Sequence, residues 1–331
     1  MRKKSCNVTI IIPVKNEENN IERCLKAIGR LDWGKGEVEV ILADGGSKDR
    51  TVFLARKLGA KIVENKKGTV APGRNVAFRK VRGDLIAFTD ADCLVDKNWL
   101  KNCLKYFQDR RVAGVGGANL TSSNASDFEK AVGWVFDQGF FSAGSLHGRV
   151  MKKVVGVDSL PGCNSIYKAS VLKKVMPQDE SLLTCDETEM NYRIKDLGYK
   201  LLYTPDVFVW HCRRSTAKKL YRQIYRYAIG RLQLGKKREK GMNLVHIVVG
   251  FCLPIFLLVN IILMRLGRGY VCLFYGAIIF GLFILFLKSV VNNKKIKIGF
   301  LSVLSVLIIA VSWSLGYMRE LIFPIKDVRG K

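Results

Sequence analysis

Asp90 and Asp92 stand one residue apart at the end of an apolar run, Phe88-Thr89-Asp90-Ala91-Asp92. Side chains alternate along an extended chain, so Ala91 points away while both carboxylates project to one side. Two hard oxygen ligands at a strand tip suit Mg2+ or Mn2+ carrying a diphosphate. Ordinary loops also begin this way, so the surrounding elements must decide between the two.

Those elements alternate. Val8–Ile12 reads as a buried strand stopped by Pro13. Asn16 can cap a helix running to about Arg30, with Ile21, Leu25 and Ile28 on one face. Glu37–Ala43 is a second strand, followed by a helix over Asp49–Leu58 that Gly59 can close. Lys61–Glu64 is a third strand, Pro72–Val81 a helix and Leu85–Thr89 a fourth strand. This alternation predicts an α/β fold with a mostly parallel sheet. Ligands in such sheets sit at the carboxyl ends of the strands, where Pro13, Asp44 and Asp90 all fall.

Farther along, helix is expected over Lys97–Phe107 and a glycine-rich strand over Val112–Gly117. Ser126–Phe141 is either helix or loop. Ser165–Tyr167 is extended and Ala169–Val175 helical. Asp186–Leu197 is a helix opened by acids, as the helix dipole favours. Leu201–Tyr203 and Val207–Trp210 are short strands.

Apolar residues make up 49% of the 331 and concentrate late in the chain. Leu244–Met264, Tyr270–Leu287 and Ile298–Tyr317 are nearly uncharged runs, each close to the ~20 residues a bilayer-spanning helix needs. Before Leu244 lie 45 of the 55 Lys and Arg and 26 of the 28 acids. Such a charge fits nucleic acid or anionic lipid, and the adjacent spans favour lipid. The 31-residue basic stretch Arg213–Asn243 places the large domain in the cytoplasm of a multi-pass protein of the cell membrane. Three spans then leave the tail outside, where Arg319, Lys326, Arg329 and Lys331 run against the same rule; either one span is re-entrant or the tail breaks the rule. Val8–Val14 is too short for the apolar part of a signal peptide.

Between the two parts, Ala217–Gly235 has Leu220, Ile224 and Ala228 at helical spacing, Arg222 and Arg226 as a basic stripe, and three tyrosines. That pattern is an in-plane interfacial helix or a buried bundle helix. The nine cysteines form no CxxC pair and read as free thiols of a reducing compartment; Cys93, Cys163 and Cys185 sit beside candidate site residues.

Four blocks in order resemble the family 2 inverting glycosyltransferases. Ile12-Pro13-Val14-Lys15-Asn16-Glu17 is similar to the family's first strand and base-binding loop. Asp44-Gly45-Gly46-Ser47-Lys48-Asp49, Gly73-Arg74-Asn75 and Thr89-Asp90-Ala91-Asp92 are similar to its next nucleotide blocks and its metal block. The resemblance covers roughly residues 7 to 235. It implies a GT-A, Rossmann-like domain over 1–215, an amphipathic interface helix and linker over 216–243, and a membrane domain over 244–331.

By that resemblance, Pro13, Asn16 and Glu17 line the nucleotide pocket and Asp44 contacts base or ribose. Glu17 is equally well a helix-opening acid. Arg74 and Asn75 hold the nucleotide, or Asn75 is merely an early helix residue. Asp90 touches ribose or metal, Asp92 is the firmer metal ligand, and His211 faces the diphosphate or metal or is structural. Leu160-Pro161-Gly162-Cys163-Asn164 resembles an acceptor-side glycine turn, which assigns Gly162 and Asn164 to the acceptor. In Cys185-Asp186-Glu187-Thr188-Glu189, with Arg193 and Gly198 fixing the register, Glu187 takes the position of the catalytic base and Asp186 that of the preceding Glu. The usual order is swapped, which leaves the base open between them. Gln223-Ile224-Tyr225-Arg226-Tyr227 resembles the Gln-x-x-Arg-Trp box of membrane-bound relatives, with Tyr for Trp. Gln223, Arg226, Arg193 and Arg231 are thereby assigned to acceptor or phosphate.

The activity implied is metal-dependent transfer of a sugar from a UDP- or GDP-sugar to a lipid-linked acceptor, a polyprenyl or dolichyl phosphate or a lipid-linked glycan. Two adjacent acids raise one another's pKa, which helps one accept a proton near neutrality. A phosphate acceptor arrives already ionised and needs a base less. The competing reading is an inactive nucleotide-sugar-binding module that scaffolds glycan assembly. A nucleic-acid partner is not expected, because no nucleic-acid motif is present.

Overall fold

The computed structural model describes residues 6–34, 36–139 and 148–325. Its first half follows the expected alternation: β1 (Val8–Val14), α1 (Glu18–Ile28), β2 (Val38–Asp44), α2 (Thr51–Lys57), β3 (Lys61–Glu64), α3 (Val70–Phe78) and β4 (Leu85–Thr89). β1 pairs parallel with both β2 and β4, and β2 with β3. Both faces of β1 are covered, which is why it reads as an unbroken apolar run. Ile10 and Ile12 pack in one cluster with Ile21, Leu25 and Ile28 of α1. Ile11 points the other way, into a cluster with Ala77, Leu172 and Ile194.

The second half adds β5 (Cys93–Val95), α4 (Trp99–Cys103), β6 (Val112–Thr121), α5 (Asp127–Asp137), β7 (Val155–Val157), β8 (Asn164–Lys168), α6 (Ala169–Val175), α7 (Asp186–Asp196) and β9 (Lys200–His211). The strand order is β3-β2-β1-β4-β8-β6-β9-β5, with β7 on β9. β8 runs antiparallel to β4 and β6, so the sheet is mixed beyond β4. The two short strands expected at 201–203 and 207–210 are one strand. Pro205 has no N–H to give, and β9 passes it by a register shift against Gly117 and Asn119. The helix-or-loop segment from Ser126 resolves as α5, opened by a capping box in which Ser126 and Glu129 bond reciprocally. Residues 140 and 141 of that segment lie outside the described residues.

α8 (Ala217–Lys237) leaves the sheet domain and leads to α9 (Leu244–Gly250), α10 (Cys252–Leu266), α11 (Arg268–Asn293) and α12 (Ile296–Ile322). α11 and α12, with 26 and 27 residues, are each long and apolar enough to cross a membrane. The first expected span is instead a pair, α9 and α10, bent by 55°. Pro254 in the first turn of α10 cannot bond back to Gly250, which breaks the helix there. The apolar stripe of α8 rests on protein. Leu220 and Ile224 share a cluster with Ile309 of α12, and Ala228 and Leu232 share one with Tyr317.

Candidate active site

The carboxyl ends of β1 and β4 open into one cavity of about 1810 Å3. Pro13, Asn16 and Glu17 form one wall. Arg74, Asp90, Asp92, Gly162, Asp186 and Glu187 form its floor. Arg214, Gln223, Arg226 and Arg231 also line it. Val245 and Val249 of α9 with Val306, Ile309, Ala310 and Trp313 of α12 close it at an apolar end.

Arg74 is the hub of the floor. α3 carries it into the core, where it is 2% exposed. Its Nη2 donates to the Gly162 carbonyl at 2.9 Å, and its guanidinium lies 5.1 Å over the Phe88 ring. The same nitrogen is 3.6 Å from Asp90 Oδ1, and Nη1 is 3.6 Å from Asp186 Oδ2. Burial works against this charge, but Asp186 and Asp90 outweigh it and raise the Arg74 pKa. Gly162 has a steric reason to be glycine: a Cβ there would stand 2.7 Å from Arg74 Nη2.

β5 and β9 bring the metal candidates together. Cys93 pairs with His211 across the ladder, so the histidine comes to rest beside the turn that carries Asp90 and Asp92. Ligand atoms of Asp90, Asp92 and His211 lie within 4.8 Å of one another. His211 Nε2 is 3.3 Å and Arg214 Nη1 3.5 Å from the Asp92 carboxylate. Burial pushes Asp92 up, but His211 and Arg214 hold it well below the usual carboxylate range. Asp90 goes the opposite way. Burial raises it, Arg74 opposes, and Asp92 adds to the rise. Two carboxylate oxygens beside an imidazole make a donor set that fits a divalent cation. Cys93 and Cys163 approach the same histidine to within 4.8 Å from the core side.

Asp186 and Glu187 open α7 behind Cys185, whose φ of 68° turns the chain sharply into the helix. Asp186 is buried. Desolvation and then the Glu187 charge push its carboxyl up to about 7, against Arg74. Glu187 is half-buried and reaches the cavity. Burial also raises Glu17, opposed by its hydrogen bond from Asn20 at 2.8 Å. Asn16 takes a φ of 57° and accepts from the Lys48 N–H at 2.8 Å, tying the first loop to the second.

Five expected site residues do not line the cavity: His211 is buried behind Asp92, and four others are held elsewhere in the fold. Asp44 folds back to accept from the Ser47 N–H at 3.1 Å, one strand away from the wall. Asn75 is a clasp: its amide donates to the Gln178 carbonyl and to Glu180 and accepts from the Gln178 N–H. Asn164 is fully buried, accepting from Trp99 Nε1 at 2.7 Å and donating to the carbonyls of Ala118 and Val207. Arg193 bonds Glu189 and the carbonyls of Val175 and Pro177, which holds α7 to the end of α6. These side chains are polar because they satisfy buried backbone, a demand that spacing along the chain does not reveal. Lys15, Lys67 and Arg214 line the cavity and were missed as site residues. Lys15 stands inside a motif block, and Arg214 follows the last strand by three residues, so position alone could have flagged both.

Comparison with known proteins fixes the class to which this fold and cavity belong. The profile of Glycosyl transferase family 2 matches residues 9–176. Glycosyltransferase AglE of Haloferax volcanii is 27% identical over 233 residues, covering 69% of this chain and 73% of the relative. The Methanococcus voltae enzyme named dolichyl N-acetyl-alpha-D-glucosaminyl phosphate 3-beta-D-2,3-diacetamido-2,3-dideoxy-beta-D-glucuronosyltransferase is 26% identical over 244 residues, 66% of this chain and 71% of its own length. The mannosyltransferase PcManGT of Pyrobaculum calidifontis, solved with GDP-Man and Mn2+, has the same fold, with a TM-score of 0.65 at 18% identity over 94% of this chain and 87% of that one. The chain belongs to Glycosyl transferase family 2, and it is a glycosyltransferase with a GT-A fold and C-terminal apolar helices.

Proposed function

We propose that this enzyme transfers a sugar, with inversion, from a UDP- or GDP-sugar to a lipid-linked acceptor at the cytoplasmic face of the membrane. One observation carries the reading: the cavity that holds the acidic floor continues without a break to the apolar wall of α9 and α12. A water-soluble acceptor has no need of that wall, whereas a polyprenyl chain does. The relatives support the acceptor class, since the Methanococcus voltae enzyme is named for a dolichyl-linked substrate.

Pro13, Asn16 and Glu17 line the end assigned to the nucleoside. Asp92, with Asp90 and His211, would hold Mg2+ or Mn2+. Such a cation supplies Lewis-acid neutralisation of the departing diphosphate. Arg214 lies beside the same carboxylate and adds positive charge where negative charge develops. Arg74 keeps Asp90 and Asp186 apart from each other and neutralised. Glu187, the more open of the two acids on α7, takes the proton when the acceptor is a sugar hydroxyl, and Asp186 tunes it. When the acceptor is a lipid phosphate, Arg226 and Arg231 steady it between floor and wall.

The test is nucleoside diphosphate release by the purified chain in vesicles, across donor sugars, divalent ions and lipid acceptors. Release is expected only when donor, divalent ion and lipid acceptor are all present. Donor binding without turnover under every condition would favour the inactive scaffold. Turnover that ignores the lipid would remove the acceptor assignment.

A further inference from the structure

α12 has the length and composition of a membrane span, yet its contacts describe another role. A helix of 27 residues is about 40 Å long. A helix that crosses a bilayer puts its two ends on opposite faces. Both ends of α12 are instead fastened to the rest of the enzyme. At its start, Lys295 and Lys297 reach Asp127 at the head of α5, at 2.7 and 3.3 Å. Near its end, the buried Glu320 is 3.8 Å from Lys236 in the last turn of α8.

The middle is fastened as well. Val306, Ile309, Ala310 and Trp313 line the cleft. Ile309 packs with Val132 and Val135 of α5 and Leu220 and Ile224 of α8. Gly316 passes so close to α8 that a Cβ would stand 2.3 Å from the Tyr225 carbonyl. The contacts advance along both helices together, from Leu220 with Ile309 to Lys236 with Glu320, so α8 and α12 run side by side for about three turns.

The two faces of α12 differ accordingly. Ser302, Ser305, Ser312 and Glu320 are buried on the inner side, while Ser314 is covered by α9, donating to the Gly250 carbonyl at 2.8 Å. Phe300, Leu304, Leu307, Val311 and Leu315 form an exposed stripe at helical spacing on the outer side. α8 carries Lys218, Lys219, Arg222 and Arg226, and α5 opens on Asp127 and Glu129. A perpendicular α12 would drag these charges into hydrocarbon, at a cost no contact here repays.

We propose that α12 lies in the membrane surface along the catalytic domain, its outer stripe turned to lipid. The membrane is then crossed by two segments, the bent pair α9–α10 and α11. This returns the chain's end to the side of the catalytic domain. It also removes the conflict with the positive-inside rule, because Lys294, Lys295, Lys297, Arg319 and the basic tail stay beside the basic domain. The apolar residues of α12 divide between the outer stripe and the inner side, where Ile309 and Tyr317 pack against α8, so its high hydropathy is shared between lipid and protein. The inference concerns placement and stands whatever the donor or acceptor.

A spin label carried by a noncanonical residue, placed singly at Phe300, Leu307 and Leu315, tests it. The full chain is used, in vesicles of phosphatidylethanolamine and phosphatidylglycerol. The three depths should agree within one helical turn, about 5 Å. A steady change of about 20 Å from position 300 to position 315, with 307 at the bilayer centre, would overturn the proposal. Epitopes at both ends of the unlabelled chain give a second reading. Protease should reach both from the same face of sealed vesicles, and exposure on opposite faces would contradict the two crossings.

Discussion

Replacing Arg74 by Gln should move the acid limb of the pH–rate profile upward. Asp186 holds its proton until about pH 7, so the Asp186–Glu187 pair becomes fully ionised only above neutrality. Activity that needs the ionised pair therefore rises with pH through that region. Arg74 is what keeps the limb from lying higher. Its Nη1 is 3.6 Å from Asp186 Oδ2, and the two side chains are 3% and 7% exposed. At an effective dielectric of about 20, a charge pair at that distance is worth roughly 5 kcal/mol. That is ~3 pK units, an upper bound that repacking and entering water reduce. The expected shift is one to three units, with a roughly 10- to 1000-fold loss at pH 7 that high pH partly restores. Arg74→Lys keeps the charge and should shift the limb less, while losing the fork that also bonds Gly162. The assay is nucleoside diphosphate release in vesicles from pH 5.5 to 10. An unmoved or lowered limb in Arg74→Gln, with donor binding intact, would refute the reasoning.

Gly162→Ala should displace the Arg74 fork, because the added Cβ stands 2.7 Å from Nη2; the expected loss is about tenfold or more in turnover with unchanged donor affinity, checked by titration and steady-state rates. Asn164→Ala strands the Trp99 N–H and the carbonyls of Ala118 and Val207. It should cost about 2 kcal/mol or more in stability, read as a lower midpoint of thermal unfolding in detergent, while folded protein keeps its donor affinity. Arg226→Gln and Arg231→Gln should each raise the acceptor KM severalfold and leave the donor KM in place, measured with lipid acceptor as the varied substrate.

The parallel half of the sheet was legible because each element carries its own period: β1 is apolar throughout and α1 shows one face. Asp90 and Asp92 stood out only through the three other blocks placed in order around them, since alternating acids at a strand end are also an ordinary loop start. The clasp residues were not. Asn75, Asn164 and Arg193 serve carbonyls that are 103, 43 and 18 residues distant or nearer only across the fold, and no local pattern encodes such partners. The length of β9 was hidden by Pro205, which marks a bulge here and a strand end elsewhere. The stripe of α8 was visible, but the sequence alone left lipid or protein as its cover; Ile309 and Tyr317 of α12, with Val132 and Val135 of α5, are the cover the fold supplies. The apolar run of α12 resembles a span because composition does not record which side of a helix meets the bilayer.

The account rests on Asp92 as the residue that would hold a divalent ion serving the donor diphosphate. Electron paramagnetic resonance of Mn2+, titrated into the purified full chain with and without UDP and GDP, addresses this directly. The wild type should bind Mn2+ more tightly with the matching diphosphate present. Asp92→Asn and Asp92→Ala should lose that gain together with turnover, whereas Glu187→Gln should keep the gain and lose turnover to a sugar hydroxyl. Diphosphate-dependent Mn2+ binding and full turnover in both Asp92 variants would contradict the account.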